Sequence, residues 1–308
     1  MPNSNFPNGF NYGLVVRGMP ILNSYGGDVY WVDSNVGGNE GTFARPFTSM
    51  EVATNSGVLS AGDIVMVKPG HVETVIAAGG LTLDVEGVAY VGLGSGSNRP
   101  QVNFTTAVGA DMDVDAANIT TANFLFTGGV DALTGPIDVN AADFTMVNCE
   151  TRDVTGQATD FIVTDANADR FSLVGWTHRG AATAGADTAL SIVGGADITV
   201  IPEFVDGNFE VAAIENVTTA ATNLQVFGSG AYPAYLRTRN AADVIFTAVS
   251  TSTGRVGPNL NVRLQDDAAN VTESFVGADM NFFQPINVTN ADGESSLQLN
   301  IAASTDAT

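Results

Sequence analysis

The hydrophobic positions of this chain fall into short runs rather than long amphipathic periods. Asp28-Val29-Tyr30-Trp31-Val32-Asp33 and Ile64-Val65-Met66-Val67 read as strands bounded by Gly, Asn and Pro. Between them lies one convincing helix start, where Thr48 is the expected N-cap, Glu51 completes a capping box and Phe47 staples towards Val52. That helix should end near Asn55-Ser56-Gly57. From about residue 75 no further helix is predicted, and a phrase recurs instead. It runs Ala117-Asn118-Ile119-Thr120, Ala142-Asp143-Phe144-Thr145, Ala168-Asp169-Arg170-Phe171, Ala196-Asp197-Ile198-Thr199, Ala221-Thr222-Asn223-Leu224, Ala242-Asp243-Val244-Ile245 and Ala269-Asn270-Val271-Thr272. Successive alanines are 25, 26, 28, 25, 21 and 27 residues apart. Each phrase but the last follows a strand-like apolar stretch: Met112/Val114, Ile137/Val139, Ile162/Val163, Ile192/Val193, Ile214/Val217 and Leu236 among them.

A period of this length with strand residues and no helix predicts an all-β right-handed parallel β-helix, because one coil cannot bury its own apolar face. Stacked coils bring like residues to about 4.8 Å from one another. The small Ala suits a corner, the Asp or Asn after it bonds nearby backbone, and the next apolar residue turns inward. Regular Leu and Asn offsets, the mark of a leucine-rich repeat, are missing, while a β-sandwich stays open as the alternative. The expected organisation is an N-terminal arm (1–27), a β-helix with its cap (28–255) and a strand-rich C-terminal cap or oligomer contact (256–308). In the arm, Phe6, Phe10, Tyr12, Met19 and Ile21 would lie exposed unless they dock on a partner.

Charge narrows the function. The 308 residues hold 33 Asp and Glu against 11 Lys and Arg, a net −22, and Lys68 is the one lysine. Nucleic-acid binding and a basic membrane patch are thereby excluded as expectations. With 44% hydrophobic residues the chain should fold rather than remain disordered. A single cysteine, Cys149, forbids an internal disulfide and a Cys-based zinc cluster. The start, Met1-Pro-Asn-Ser-Asn-Phe, lacks the pattern of a secretory signal, so a soluble product outside the usual export path is expected.

Tyr30-Trp31-Val32-Asp33-Ser34, Gly41-Thr42, Arg45-Pro46-Phe47-Thr48-Ser49-Met50 and Ala61-Gly62-Asp63-Ile64-Val65-Met66-Val67-Lys68-Pro69-Gly70-His71 together resemble the N-terminal capping segment of pectin-lyase-like right-handed parallel β-helix proteins. With Phe6-Pro7-Asn8-Gly9 and Arg17-Gly18-Met19-Pro20-Ile21 ahead of it, the combination is similar to structural proteins of tailed bacteriophages. The resemblance covers about the first 75 residues, and fold similarity does not bring function with it.

Candidate chemistry is sparse. Asp111-Met112-Asp113-Val114-Asp115 would place three carboxylates on one outer strand face, a solvated acidic face or a Ca²⁺ site. Ligands roughly 6.5–7 Å apart along one strand are too widely spaced for one ion, so no metal and no cofactor is expected. A lyase reading needs a cation beside clustered acids. Arg170, Arg179, Arg237 and Arg239 are candidates, yet no acidic trio has helpful spacing. A glycosidase needs two carboxylates across a cleft, which sequence does not locate. His71 reads as structural, while His178, after Trp176 in an expected loop, suits a binding or active site. Asn-x-Thr triplets at Asn103, Asn118, Asn216, Asn270 and Asn287 read as turn and strand composition rather than glycan acceptors. Trp176, Tyr232 and Tyr235 are candidates for a glycan or subunit contact. The resulting expectation is a non-catalytic virion structural protein on the capsid exterior, a decoration (cement) protein or head fibre. Its arm would bind the major capsid protein or another virion protein, and the rod would form a homo-oligomer, as a trimer. The alternative is a tail-associated β-helix that binds or cleaves host-surface polysaccharide.

Overall fold

The computed structural model describes residues 14–16, 19–21, 27–153, 158–181, 185–207, 209, 211–217, 222–229, 236–238, 244–249 and 262–264. In the arm, β1 (Leu14–Val16) and β2 (Met19–Ile21) form an antiparallel hairpin. The body opens with β3 (Val29–Val32) and α1 (Met50–Thr54). It then winds three strands per coil: β4 (Ile64–Val67), β5 (Val72–Val75), β6 (Leu81–Leu83); β7 (Ala89–Gly92), β8 (Gln101–Phe104), β9 (Met112–Val114). The next two coils are β10 (Thr120–Ala122), β11 (Leu125–Gly128), β12 (Ile137–Val139) and β13 (Thr145–Val147), β14 (Glu150–Asp153), β15 (Asp160–Thr164). Thereafter the first two strands of a coil merge, giving β16 (Ser172–Arg179) with β17 (Thr188–Ile192) and β18 (Thr199–Asp206) with β19 (Ala212–Asn216). β20 (Leu224–Ser229), β21 (Leu236–Thr238), β22 (Val244–Val249) and β23 (Val262–Leu264) continue the faces.

Every pairing between these body strands is parallel and joins one coil to the next. The chain is a right-handed parallel β-helix. Its first face stacks β3, β4, β7, β10, β13, β16, β18, β20 and β22, eight spacings of about 4.8 Å or roughly 38 Å of rod. The sandwich alternative is therefore set aside.

Inward positions repeat in register. On the third face Leu81, Met112, Ile137, Ile162, Leu190 and Ile214 form one buried column. Tyr90, Thr121, Met146, Leu173, Val200 and Val226 form another on the first face. Each fully buried large aliphatic contributes about 1.5–3 kcal/mol, so the stacking of like residues is the main source of stability.

The recurring phrase marks the corner that enters the first face. Asn118, Asp143, Arg170, Asp197 and Asn223 all have φ between 51° and 61°, the left-handed region that Asn and Asp tolerate best. At each of the first four the backbone N–H donates to a carbonyl of the next coil, as Asn118 does to Ala142 at 3.1 Å and Asp143 to Asp169 at 2.8 Å. The true repeat is set by this conformation rather than by the alanines. In the third phrase the turn residue is Arg170, one position later than the alignment on Ala168 implies, and its guanidinium is held by both oxygens of Asp143 at 2.6 and 2.7 Å. A second corner, between the first and second faces, uses Asn123 (φ 62°), Asn148 (φ 52°) and Gly175 (φ 65°).

The cap helix starts one residue later than expected. Ser49, not Thr48, is the N-cap, its hydroxyl accepting the Val52 N–H at 2.9 Å. Glu51 is not bound back to the cap. It accepts the Thr82 N–H at 2.8 Å and so ties the helix to β6.

Candidate functional site

The expected site residues separate into buried and outward groups. Trp176 and His178 were expected in a loop, but both lie on β16 and are 0% exposed. Left-handed Gly175 kinks the chain there, and beyond it Trp176 and His178 alternate inward around Thr177. The indole Nε1 donates to Thr151 Oγ1 at 2.9 Å, and that hydroxyl bonds His178 Nδ1 at 2.8 Å. Phe161 and Phe209 flank the imidazole with ring centroids at 5.7 and 5.5 Å. Burial alone pushes the His178 pKa down to about 3, so the ring is neutral at pH 7. Trp176 is thus unavailable for stacking on a sugar, and His178 for touching a substrate.

His71 has the structural role expected of it. Its Nδ1 accepts the Ser34 N–H at 2.9 Å, which leaves Nε2–H to donate to Glu73 Oε2 at 3.0 Å. Glu73 also accepts the Met50 N–H at 2.7 Å, so this buried pair fastens the start of α1 to the first coil. Cys149 is buried as well, and burial raises its thiol to about 11.

Among the described residues, outward chemistry is concentrated in two places. Asp113 and Asp138 are register partners on β9 and β12, each pointing out between two buried apolar neighbours. Asp111 and Asp115 flank Asp113. Asp111 accepts the Gly79 N–H at 2.6 Å and Asp115 accepts from Asn140 at 3.1 Å. Partial desolvation, then Asp111, Asp115 and Asp138, raise Asp113 to about 6, and Asp111 and Asp138 are raised by the same two causes. Among the described residues no group of three or more His, Cys, Asp or Glu is arranged to hold a metal ion.

The second place was not singled out from sequence. On the second face Glu150 accepts from Arg152 Nε at 2.6 Å and from Arg99 Nη2, and Arg179 Nε forms an ion pair with it at 3.2 Å. Burial raises the carboxyl, but the hydrogen bonds from Arg152 and Arg99 outweigh it and leave Glu150 below its ordinary range. Sequence offers Arg179 beside Arg170, Arg237 and Arg239 as a cation, and its partner stands 29 residues upstream on a neighbouring coil, a separation legible once the repeat length is known.

Of the other expected residues, Met19 and Ile21 belong to β2, while the side chains of the arm, with Phe6, Phe10 and Tyr12, lie outside the described residues. Tyr232, Tyr235, Arg239, Asn270 and Asn287 lie outside them too. Arg237, on β21, is in register with Glu215 and Arg263. Of the Asn-x-Thr triplets, Asn118 is a corner residue and Asn216 is buried, as the compositional reading has it.

No protein-family model matches this sequence, and no curated protein does. Among solved structures a rhamnogalacturonan lyase is similar over 76% of this chain and 75% of its own, with a TM-score of 0.40 and 17% identity. A likeness that weak carries no argument about activity, and the fold assignment rests on the coils themselves.

Proposed function

We propose that this chain is a non-catalytic structural protein of a bacteriophage virion, a capsid decoration protein or head fibre whose rod is fastened by residues 1–27. The observation that supports it is where the two histidines and the cysteine lie: His71, Cys149 and His178 are all buried, and His71 and His178 bond one coil to another. A rod stabilised by internal columns suits a projecting, protease-exposed position, and net charge −22 keeps it soluble. Phe6, Phe10, Tyr12, Met19 and Ile21 supply the apolar contact with the major capsid protein or another virion protein.

The test is a chain lacking residues 1–27. It should keep its β-type circular dichroism and protease resistance but no longer co-sediment with capsids. Undiminished capsid binding by the shortened rod would sink the proposal. The second reading, a tail-associated β-helix acting on host-surface polysaccharide, draws support from Asp113, whose carboxyl near 6 suits proton exchange at neutral pH. Release of new reducing ends from host polysaccharide, abolished by Asp113→Asn, would establish it in place of the first.

A further inference from the structure

Arg152 and Arg179 are register partners on adjacent coils. Both reach Oε1 of the buried Glu150 through Nε, at 2.6 and 3.2 Å, and their side chains are 36% and 55% exposed. Arg179 also rests over the Phe204 ring at 4.8 Å. Arg99 reaches the other oxygen of Glu150 from the turn before β8, across the row held by Leu125. Three guanidiniums therefore surround one carboxylate on a chain of net −22, and Asp206, the register partner of Arg179 on β18, closes the row. Such an arrangement is more than a surface ion pair. Shared anchoring on Glu150 holds the two guanidiniums on adjacent strands, whose backbones run about 4.8 Å apart, and a guanidinium carries five N–H donors suited to carboxylates.

We propose that the Arg152–Arg179 pair is a carboxylate-binding site and that its occupant is the Asp113–Asp138 pair of a second copy of this chain. Spacing argues for this occupant. Asp113 and Asp138 are register partners one coil apart, as Arg152 and Arg179 are, so two carboxylates meet two guanidiniums at the same repeat distance. Charge argues for it too: the carboxylates are crowded by Asp111 and Asp115, have no ion pair among the described residues, and would lose that repulsion against arginine. The two pairs sit on different faces, so the contact is heterologous and each copy offers a donor and an acceptor face to its neighbours.

The inference is independent of the virion reading, because the isolated chain tests it. In sedimentation velocity the wild-type chain should self-associate at 50 mM NaCl, with at least a tenfold weaker dissociation constant at 500 mM. Asp113→Asn with Asp138→Asn should weaken association at least tenfold while leaving the fold intact, as should Arg152→Gln with Arg179→Gln. If the arginine variant fails to fold because Glu150 keeps Arg99 alone, the aspartate variant carries the test. A wild-type monomer at 50 mM NaCl, or association unchanged in the aspartate variant, overturns the proposal. So does polygalacturonate binding that requires Arg152 and Arg179 in a chain that does not self-associate, which would assign the site to an acidic glycan.

Discussion

His178 makes this rod acid-sensitive in a way that can be isolated by one substitution. In the folded chain its pKa is about 3 against an ordinary 6.5, with burial as the cause. The folded state thus binds fewer protons than the unfolded state between these values. Stability is complete above pH 6.5 and is lost as the pH falls towards 3, to a limit of about 4–5 kcal/mol; at pH 4 the loss is about 3 kcal/mol. That is a large fraction of the roughly 5–15 kcal/mol that holds a typical domain. His178→Phe keeps a ring between Phe161 and Phe209 but cannot titrate. Urea unfolding should be followed through Trp176, whose ring centroid is 5.8 Å from the imidazole, in a Trp31→Phe background that removes the other tryptophan. Aspartate titrations are common to both chains and cancel in the difference. The stability gap between wild type and His178→Phe should move by about 3 kcal/mol between pH 7.5 and pH 4. Parallel pH profiles for the two chains would show that the imidazole is not held neutral in the interior, and the argument from burial would fail.

Asp113→Asn is expected to stabilise the chain at pH 7.5. The folded pKa of about 6 lies above the ordinary 3.8, so ionisation opposes folding, and the wild type recovers the deficit as the pH falls from 6 to 4. The group is only half-buried, so the gain is about 0.5 kcal/mol after solvent screening, measured as a rise in urea midpoint. Asn123→Val should cost about 2–4 kcal/mol, since φ is 62° there and the side chain donates to Gly92 O at 2.8 Å and Gly94 O at 3.1 Å. Asn123→Gly keeps the backbone conformation and should cost less; equal losses would rule out backbone strain as the cause. Ser49→Ala removes the helix cap and should lower stability by about 1 kcal/mol in the same assay.

How much of this was legible in the sequence depends on which physical constraint each residue answers to. The solenoid was readable because its first corner needs a left-handed residue once per coil, and Asn118, Asp143, Asp197 and Asn223 meet that need with the side chains that tolerate it. Arg170 escaped because arginine has no such preference. Its place in the series is fixed by Asp143, a neighbour in space at a distance of 27 residues. The second corner escaped for a related reason: Asn123 and Asn148 look like any loop asparagine until Gly175 is recognised as their equivalent. Missing that equivalence placed Trp176 and His178 in a loop. Aligned on the corner, Phe124, Cys149 and Trp176 are one inward position, and Phe126, Thr151 and His178 are the next. Thr48 as cap would put Glu51 at the capping-box position, but Glu51 accepts from Thr82 on the first coil, and the Val52 N–H is capped by Ser49.

The candidate site followed the opposite logic. Strand alternation placed Asp113 correctly on the outside, since a carboxylate between Met112 and Val114 has one face to occupy. The Arg99–Arg152–Arg179 cluster has no local signature at all. Its members come from three coils and converge on Glu150, which stands in the row between Leu125 and Thr177. In a solenoid, local sequence determines whether a side chain points in or out. Outer-surface chemistry depends instead on residues one repeat apart, so it emerges only when the corner residues have set the register.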